Sequence, residues 1–336
     1  MPIVNTKSVI DNRVEAIRNF HISSGVTRAE LDVSGGIDSA VMLLLLALAI
    51  GPDNITAVYQ GINSSPESLS RAREVAAVAG VKLVEWDGTE VYSTVVRGLV
   101  DAMVAAGYDR AEIEDRVESD PTILGSIRST MRAPWGRAAN RLTGGGIRHG
   151  TGNEDEDRTL RFYQKGGDGE VDTNPISMFS KGEIFQLAKA LGCPESILTA
   201  KPTPDLWGVG EVHNDEEEIA SYLRLSGTTY PMYSYINAEG EYTCVGLVER
   251  FQRWLDDAGE SVFDDSLSAR HVDIYIDRAI TSPLFRGVDR DTVAKLITSM
   301  RRVERMTRHK INPAIPTFGS RNMPGLVNLD SLTEIL

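Results

Sequence analysis

Cysteine is scarce in this sequence of 336 residues, which contains only Cys193 and Cys244. The two are far apart and form no C-x-x-C pair, so neither a disulfide framework nor a zinc site built on paired thiolates is supported. We expect both cysteines to be ordinary core or surface residues. So few cysteines fit a reducing compartment, and the cytoplasm is the predicted location.

Long hydrophobic runs and an excess of positive charge are also missing. The most apolar stretch, residues 40–50, is much shorter than the roughly 20 residues that a membrane helix needs, and the N-terminus has no signal-peptide pattern. The formal net charge is -13, whereas nucleic-acid binding needs clustered Lys and Arg. The sequence therefore predicts neither a membrane span nor a nucleic-acid partner.

Apolar patterns with helical spacing alternate with short extended patterns in the N-terminal part of the chain. Helices are predicted at about 9–20, 39–50 and 65–79, and strands at 31–33, 55–59 and 81–86. Strands that alternate with helices predict a doubly wound α/β fold, in which helices flank a mostly parallel sheet. Further along, the patterns predict a helix at 181–191 and a hairpin that turns at 239–240.

A glycine-rich loop joins the first predicted strand to the helix at 39–50. It consists of Ser34, Gly35, Gly36, Ile37, Asp38 and Ser39. Free backbone N–H groups at a helix start favour an anion, and the serine hydroxyls can donate hydrogen bonds to phosphate oxygens. A carboxylate beside phosphate makes sense chiefly with magnesium between them, which predicts a metal-binding role for Asp38. The pattern is neither the Walker motif nor the dinucleotide-binding motif.

A second stretch, residues 144–172, is dense in glycine and charge. It contains G-T-G-N-E-D-E at 150–156 and K-G-G-D-G at 165–169. This composition is typical of a ligand-binding loop rather than of a core. From the residues alone, a solvated acidic loop stays open as the alternative.

The motifs together resemble a known family. S-G-G-x-D-S after a strand resembles the pyrophosphate loop of the N-type ATP pyrophosphatases, and the later motifs narrow the resemblance to the ammonia-dependent NAD synthetases. These later motifs are G-T-G-N-x-x-E at 150–156, K-x-G-D-G-x-x-D at 165–172, P-I-x-x-x-x-K at 175–181, K-P-T-P-D-L at 201–206, D-E at 215–216 and H-K at 309–310. The resemblance implies an adenine nucleotide alpha hydrolase-like fold with a helical C-terminal extension.

The resemblance also implies a reaction and its residues. The nicotinic-acid carboxylate of deamido-NAD would attack the α-phosphorus of ATP to form a carboxyl-adenylate, and ammonia would then displace AMP to give NAD. The implied catalytic residues are Asp38 and Lys181, and the implied magnesium ligands are Asp38 and Glu156. The implied ATP-binding residues are Ser34 to Ser39, Thr151, Lys181 and Thr203, and those facing deamido-NAD are Arg132, Lys165, Asp172, His309 and Lys310.

The chain is expected to divide into a family core at 1–225, a segment at 226–290, and a C-terminal helix and substrate-contacting tail at 291–336 that belong to the core domain. The segment 226–290 is longer than the family needs, and we interpret it as extra core or an oligomer contact rather than a lid. The resemblance implies a homodimer with deamido-NAD at the subunit interface. It also implies free ammonia as the nitrogen donor, since glutamine use would require a nitrilase-like domain.

Several positions depart from the family pattern. Thr130 replaces an expected Arg, Arg148 and His149 interrupt a usually apolar strand, and Asp32 interrupts the first strand. Each is expected to weaken the sheet or the substrate contacts. The spacing from Glu156 to Lys165 is one residue longer than in the family pattern, which makes Gln164 a rival for the role of Lys165.

Two other classes of function are compatible with the first loop. One is a different ATP pyrophosphatase, such as a GMP-synthetase-like amidating enzyme or a tRNA-modifying thiolase, although a thiolase would usually need catalytic cysteines. The other is a module that senses ATP or NAD without turnover. The presence of both Asp38 and Glu156 argues against a sensor.

Overall fold

The structure is a computed structural model that describes residues 2–120, 122–203, 214–258, 269–307 and 310. His309 and residues 204–206 of the predicted K-P-T-P-D-L motif lie outside these described residues. Within these ranges, buried apolar side chains form two hydrophobic clusters.

The central sheet is parallel and its strands are joined through helices. Its strands are β1 (Ala29–Asp32), β2 (Ile55–Gly61), β3 (Leu83–Asp87) and β4 (Ile147–His149), in the spatial order β3-β2-β1-β4. In the register, Leu31 of β1 pairs with Ala57 of β2, and Ala57 pairs with Leu83 of β3. A separate antiparallel pair, β5 (Tyr235–Ile236) and β6 (Tyr242–Cys244), forms the predicted hairpin.

Helices account for most of the remaining described residues. They are α1 (Thr6–Ser24), α2 (Ile37–Ile50), α3 (Pro66–Ala79), α4 (Thr89–Ala105), α5 (Arg110–Ser119), α6 (Thr122–Leu142), α7 (Lys181–Ala190), α8 (Glu195–Leu198), α9 (Asp215–Tyr222), α10 (Leu247–Ala258), α11 (Ala269–Thr281) and α12 (Arg290–Thr307). A π-helix spans Glu154–Leu160, inside the stretch predicted to be a functional loop. The predicted doubly wound α/β class is confirmed.

Local sequence signals explain where several helices begin. Ser65 is the N-cap of α3, as its position before Pro66 suggests, and its hydroxyl accepts a hydrogen bond from the backbone N–H of Ser68 at 3.2 Å. Ser180 and Glu183 form a capping box at the start of α7, so the backbone N–H groups of these two residues are satisfied. The start of α7 is thereby held in place, with Lys181 as its first residue.

One face of the sheet carries the main hydrophobic core. Leu31, Val33 and Ala57 point into it, and helix α2 contributes a continuous buried run at 40–46. A helix that is apolar on all sides must be covered on all sides, and α2 packs against α1, α3 and α7. This burial stabilises the layer on which the glycine-rich loop rests.

A second hydrophobic cluster includes much of the described part of segment 226–290. Met232, Phe251 and Trp254 of that segment pack with Leu160 of the π-helix and Val293 of α12. This packing is consistent with the interpretation of the segment as additional core, which stays a prediction. The division of the chain at 225 and 290 stays a prediction, although one apolar cluster extends across both boundaries.

The opposite face of the sheet, which α6 covers, is strongly polar. Arg148 of β4 is buried, and its Nη1 lies 2.6 Å and 2.7 Å from the two carboxylate oxygens of Glu30 on β1. Its Nη2 donates to Asp32, which also accepts a hydrogen bond from Gln60 at 2.5 Å. The two departures at Asp32 and Arg148 thus neutralise each other, and β4 pairs with β1 despite them.

No helix within the described residues is long and apolar enough to cross a membrane. Cys193 is buried and Cys244 is partly buried, and both are free thiols, as expected.

The packing of α6 on the sheet depends on a glycine. A Cβ added at Gly136 would lie 1.9 Å from Nη1 of Arg148, whereas one added at Gly98 on α4 would meet nothing within 4 Å. Gly136→Ala should therefore destabilise the fold by about 2 kcal/mol, because the buried Arg148 must move away from Glu30. Gly98→Ala should stabilise it by up to about 1 kcal/mol through helix propensity alone.

Urea unfolding of both variants checks this contrast, since the chemical change is the same and only the surroundings differ. A Gly136→Ala protein that is as stable as Gly98→Ala would show that Arg148 is not held against α6.

Candidate active site

A cavity of about 300 Å³ lies at the carboxyl ends of β1, β2 and β4, where open α/β sheets bind ligands. All six residues of the glycine-rich loop line it. Further predicted residues that line it are Arg132, Thr151, Glu156, Lys181 and Thr203. The cavity therefore brings together every predicted ATP-binding residue and both predicted magnesium ligands.

The glycine-rich loop has a conformation that its sequence requires. Gly35 has φ +81°, and a Cβ there would lie 2.1 Å from the backbone oxygen of Ser68, so a larger residue would both strain and clash. The Ser34 hydroxyl accepts from the N–H of Gly36 at 3.2 Å and lies 3.2 Å from the Ser39 hydroxyl. Arg71 of α3 donates to the carbonyl of Gly35 at 3.0 Å, which fixes the loop from outside.

The charged centre of the cavity is the ammonium group of Lys181. Its Nζ lies 2.7 Å from Asp38, 2.8 Å from Glu156 and 3.6 Å from Asp215. Burial would lower the pKa of Lys181, but the carboxylates of Asp38, Glu156 and Asp215 raise it well above its usual value. Burial raises the pKa of Asp215, against the attraction of Lys181. A single positive charge therefore holds together acidic groups from α2, the π-helix and α9.

Asn153 connects the loop and the π-helix. This buried residue is the N-cap of the π-helix, and its side-chain oxygen accepts from the N–H of Glu156 at 3.0 Å. Its side-chain amide donates to Asp38 at 3.0 Å. The asparagine of the G-T-G-N motif thus fixes Asp38 and Glu156 relative to each other, which the motif alone did not reveal. A π-helix at such a position is typical of functional sites.

The carboxylates fit a magnesium ion that is shared with a ligand. Asp38 and Glu156 both reach one ammonium group from different elements, and their oxygens are the donors that Mg²⁺ prefers. Among the described residues, no group of three or more His, Cys, Asp and Glu side chains is arranged to hold a metal. The protein alone thus offers an incomplete set of ligands, which phosphate oxygens of a nucleotide would complete.

Three of the residues predicted to face deamido-NAD are not among those that line the cavity. Lys165 is exposed, and the carboxylate of Asp172 binds Arg137 at 3.0 Å and the N–H of Arg148 at 2.8 Å. Nζ of Lys310 donates to the carbonyl of Tyr163 at 2.6 Å. The roles of these residues, and of His309 outside the described residues, stay predictions. The rival Gln164 accepts from the hydroxyl of Ser126 at 2.9 Å and does not line the cavity either.

Several residues that were assigned no ligand-binding role from the sequence also line the cavity. They include Asp32, Gln60, Arg71, Arg148, His149, Asp157, Asp168, Asp215 and Tyr233. Asp168 lies inside the K-x-G-D-G motif and Asp157 directly follows Glu156, so their positions beside predicted site residues could have identified them. Tyr233 gave no such signal, because it reaches Lys181 from segment 226–290, with its ring centroid 5.9 Å from Nζ.

His149, a departure from the apolar pattern of β4, pairs with a histidine of α1. Its Nε2 lies 3.1 Å from Nε2 of His21, and Nδ1 of His21 lies 2.7 Å from the carbonyl oxygen of Val26. Because a carbonyl only accepts, Nδ1 of His21 carries the proton and its Nε2 accepts from His149. Burial and the neighbouring His21 lower the pKa of His149 to about 3, so the pair is neutral.

The buried pair makes stability depend on pH. The pKa of His149 is about 3 in the fold and 6.5 in its unperturbed state, so its stability contribution is present above pH 6.5 and is lost as the pH falls. His149→Val removes this proton uptake by the unfolded chain. Measured by urea unfolding, the free energy of unfolding of His149→Val minus that of the wild type should be about 2 kcal/mol larger at pH 5 than at pH 8. A relative stability that is the same at both pH values would contradict the neutral buried pair.

A parallel sheet, a glycine-rich loop at the start of α2 and a facing acidic π-helix define an adenine nucleotide alpha hydrolase-like protein. The family model described as NAD synthase matches residues 9–233. The chain belongs to this family, and the resemblance drawn from its motifs is confirmed.

Curated relatives agree with this assignment. The chain is 34% identical over 214 residues to the NH(3)-dependent NAD(+) synthetase of Methanosarcina acetivorans, an alignment that covers 63% of this chain and 77% of the relative. It is 30% identical over 250 residues to the NH(3)-dependent NAD(+) synthetase of Trichlorobacter lovleyi, with 74% and 84% covered.

Solved structures share the fold at lower sequence identity. NMN synthetase from Francisella tularensis has a TM-score of 0.62 and 18% identity, and the match covers 93% of this chain and 98% of that one. A glutamine-dependent NAD(+) synthetase from Cytophaga hutchinsonii has a TM-score of 0.62 and 14% identity, with 94% and 53% covered. At identities this low, the structural similarity establishes the fold alone, and the substrate has to be inferred from the chemistry of the site.

Proposed function

We propose that this protein is a carbon–nitrogen ligase that converts deamido-NAD to NAD with ATP and ammonia. The reaction passes through a carboxyl-adenylate and releases pyrophosphate and AMP. The observation that carries the proposal is the meeting of the loop at 34–39 with Lys181, Asp38 and Glu156 in one cavity, in a member of the NAD synthase family. The curated relatives are named as synthetases that use ammonia, and we propose the same nitrogen donor here.

The loop and Lys181 supply the contacts that phosphoryl chemistry needs. Backbone N–H groups at the start of α2 face the cavity, so the ATP phosphates bind there with the hydroxyls of Ser34 and Ser39. Lys181 is buried and positively charged, and it stabilises the charge that develops on the departing pyrophosphate. Thr151 and Thr203 line the same cavity and complete the ATP contacts.

Asp38 and Glu156 would hold magnesium. The ion would supply positive charge that offsets the negative charge of the ATP phosphates. On ATP binding, Lys181 would exchange part of its contacts with the carboxylates for contacts with phosphate oxygens. Its present position between the two acids keeps them from repelling each other before the ligand binds.

No covalent nucleophile from the protein is required, because the substrate carboxylate and ammonia are the nucleophiles. The protein contributes positioning and charge. Neither Cys193 nor Cys244 lines the cavity, and burial raises the pKa of the Cys193 thiol to about 12. Within the described part of the chain this arrangement gives no support to a thiol-dependent tRNA-modifying reaction.

Deamido-NAD is assigned to the α6 side of the cavity. Arg132 of α6 lines this side, and Lys165, Asp172, His309 and Lys310 are proposed to contact the dinucleotide. Because the side chains of Asp172 and Lys310 bind other protein groups in the present arrangement, the loop 163–172 is expected to rearrange when the dinucleotide binds. We also propose small-molecule substrates as the main partners and a cytoplasmic location.

The test of this function is an assay of the purified protein with ATP, magnesium, deamido-NAD and ammonium, followed by chromatography. NAD and AMP should appear together in equal amounts. Asp38→Asn and Glu156→Gln should each lower kcat at least about 100-fold, because each removes a carboxylate that is proposed to hold the magnesium ion. Asp291→Asn, which removes an exposed carboxylate on α12, is the matched control and should keep the wild-type rate.

The outcomes separate the alternatives. ATP binding without AMP formation would indicate a sensor, and AMP formation that does not require deamido-NAD would indicate another adenylating enzyme. Nicotinic acid mononucleotide has the same carboxylate without the AMP half, so its rate relative to deamido-NAD measures how far the dinucleotide is required.

The implied homodimer has a candidate surface. Val91, Val95 and Leu99 lie on one face of α4 at helical spacing and are 44%, 38% and 53% exposed. Val84 on the edge strand β3 is 42% exposed. An exposed apolar stripe of this kind is typical of an interaction surface, and we propose that a second copy of the chain covers it.

Charge placed on this surface should prevent association. Val95→Asp with Leu99→Asp should give a monomer in light scattering coupled to size exclusion, because an unpaired carboxylate is costly to bury. Val78→Asp on α3, where the wild-type side chain is 54% exposed, should leave the dimer intact. A dimer that survives the double change on α4 would place the interface elsewhere.

A further inference from the structure

Helix α10 lies against the π-helix that carries Glu156, and the contact between them is ionic. Arg253 of α10 is 1% exposed and Glu154 of the π-helix is 0% exposed. Nη1 of Arg253 lies 3.3 Å from one oxygen of Glu154, and Nη2 binds the other oxygen. Because buried charges are costly to separate, a shift of either helix away from the other is disfavoured.

Further contacts join the same two helices. Asp256 of α10 accepts from Arg253 at 2.7 Å and from Arg158 of the π-helix at 3.0 Å. The hydroxyl of Thr159 donates to Gln252 at 3.0 Å, and this contact is also buried. Side chains from both ends of the π-helix are therefore tied to one face of α10.

The first three of the four successive acidic residues of the π-helix contact different groups. Glu154 binds Arg253, Asp155 accepts from the backbone N–H of Lys181 at 2.8 Å, and Glu156 accepts from Nζ of Lys181 at 2.8 Å. Adjacent residues in a hydrogen-bonded turn share one rigid backbone, so a displacement of Glu154 is transmitted to Glu156. The orientation of Glu156 toward Asp38 thus depends on where α10 holds the π-helix.

We propose that Arg253 is a positioning residue for the cation and ATP site. Through Glu154 it holds the π-helix so that the Glu156 carboxylate faces Asp38 across Lys181. This inference rests on the proposed function, in which Glu156 and Asp38 bind magnesium with ATP. It assigns a structural role to α10, which lies in the segment 226–290. This helix supports the π-helix that carries Glu156.

The test measures binding without turnover. Calorimetry with α,β-methylene-ATP in the presence of magnesium, and again with EDTA, gives the gain in affinity that the metal contributes. In the full-length Arg253→Met protein this gain should fall by about 10-fold, while the affinity in EDTA stays at the wild-type value. A role in general stability alone would lower the melting temperature and leave the gain unchanged.

The control is Arg250→Met on the same helix. The Arg250 guanidinium donates to the backbone carbonyls of Val245 at 2.8 Å and Leu284 at 2.9 Å. Its loss should lower the melting temperature and keep the wild-type gain. If Arg253→Met does not fold, Glu154→Gln combined with Arg253→Met removes both buried charges together, and the same fall in the gain is expected.

A wild-type gain in a folded Arg253 variant overturns the inference, as does an equal loss in Arg250→Met. Failure of the proposed function is a separate result, because the wild-type protein would then form no NAD. One combination of results rejects the positioning role alone. In it, the wild type forms NAD, Glu156→Gln removes the gain in affinity that the metal contributes, and Arg253→Met keeps that gain.

Discussion

The site depends on the sharing of one ammonium group by several carboxylates. Lys181 is buried, and Asp38, Glu156 and Asp215 come from segments that are far apart in the chain. A buried lysine without acidic partners would lose its proton, and clustered carboxylates without a cation would repel each other. Each charge is therefore tolerated because of the other, and the arrangement holds α2, the π-helix, α7 and α9 around one cavity.

The same principle operates a second time beneath the cavity. Arg148 would be destabilising in a buried strand on its own, and so would Glu30, but they bind each other at 2.6 Å across neighbouring strands. Asp32 completes the cluster at the cavity floor. Departures from a family pattern that seem harmful one at a time can thus be neutral as a set, because the free energy of a buried charge depends on its partners. The polar layer also explains why α6 carries a glycine at its closest approach to the sheet.

Features set by neighbouring residues were predictable. The alternation of strands and helices, the Ser65 cap and the glycine loop all follow from spacing and side-chain chemistry within a few residues. The meeting of the loop and the later motifs in one cavity was predictable too, because these motifs lie at strand ends that a parallel sheet must bring to one edge. The positions of the residues predicted to face deamido-NAD were less accessible to such reasoning. Lys165 and Asp172 lie in an irregular segment, where spacing does not determine the direction in which a side chain points.

The sequence by itself determined the fold class, the family and the chemical types that meet at the site, because these depend on periodicity and on motifs with a local geometry. Only the tertiary structure decided which charges neutralise which. Arg148 with Glu30, His149 with His21, and Arg253 with Glu154 each join residues that are far apart in sequence. No periodicity links such positions, and their pairing follows from the packing of whole elements, which brings them together where water is excluded and every polar group needs a partner.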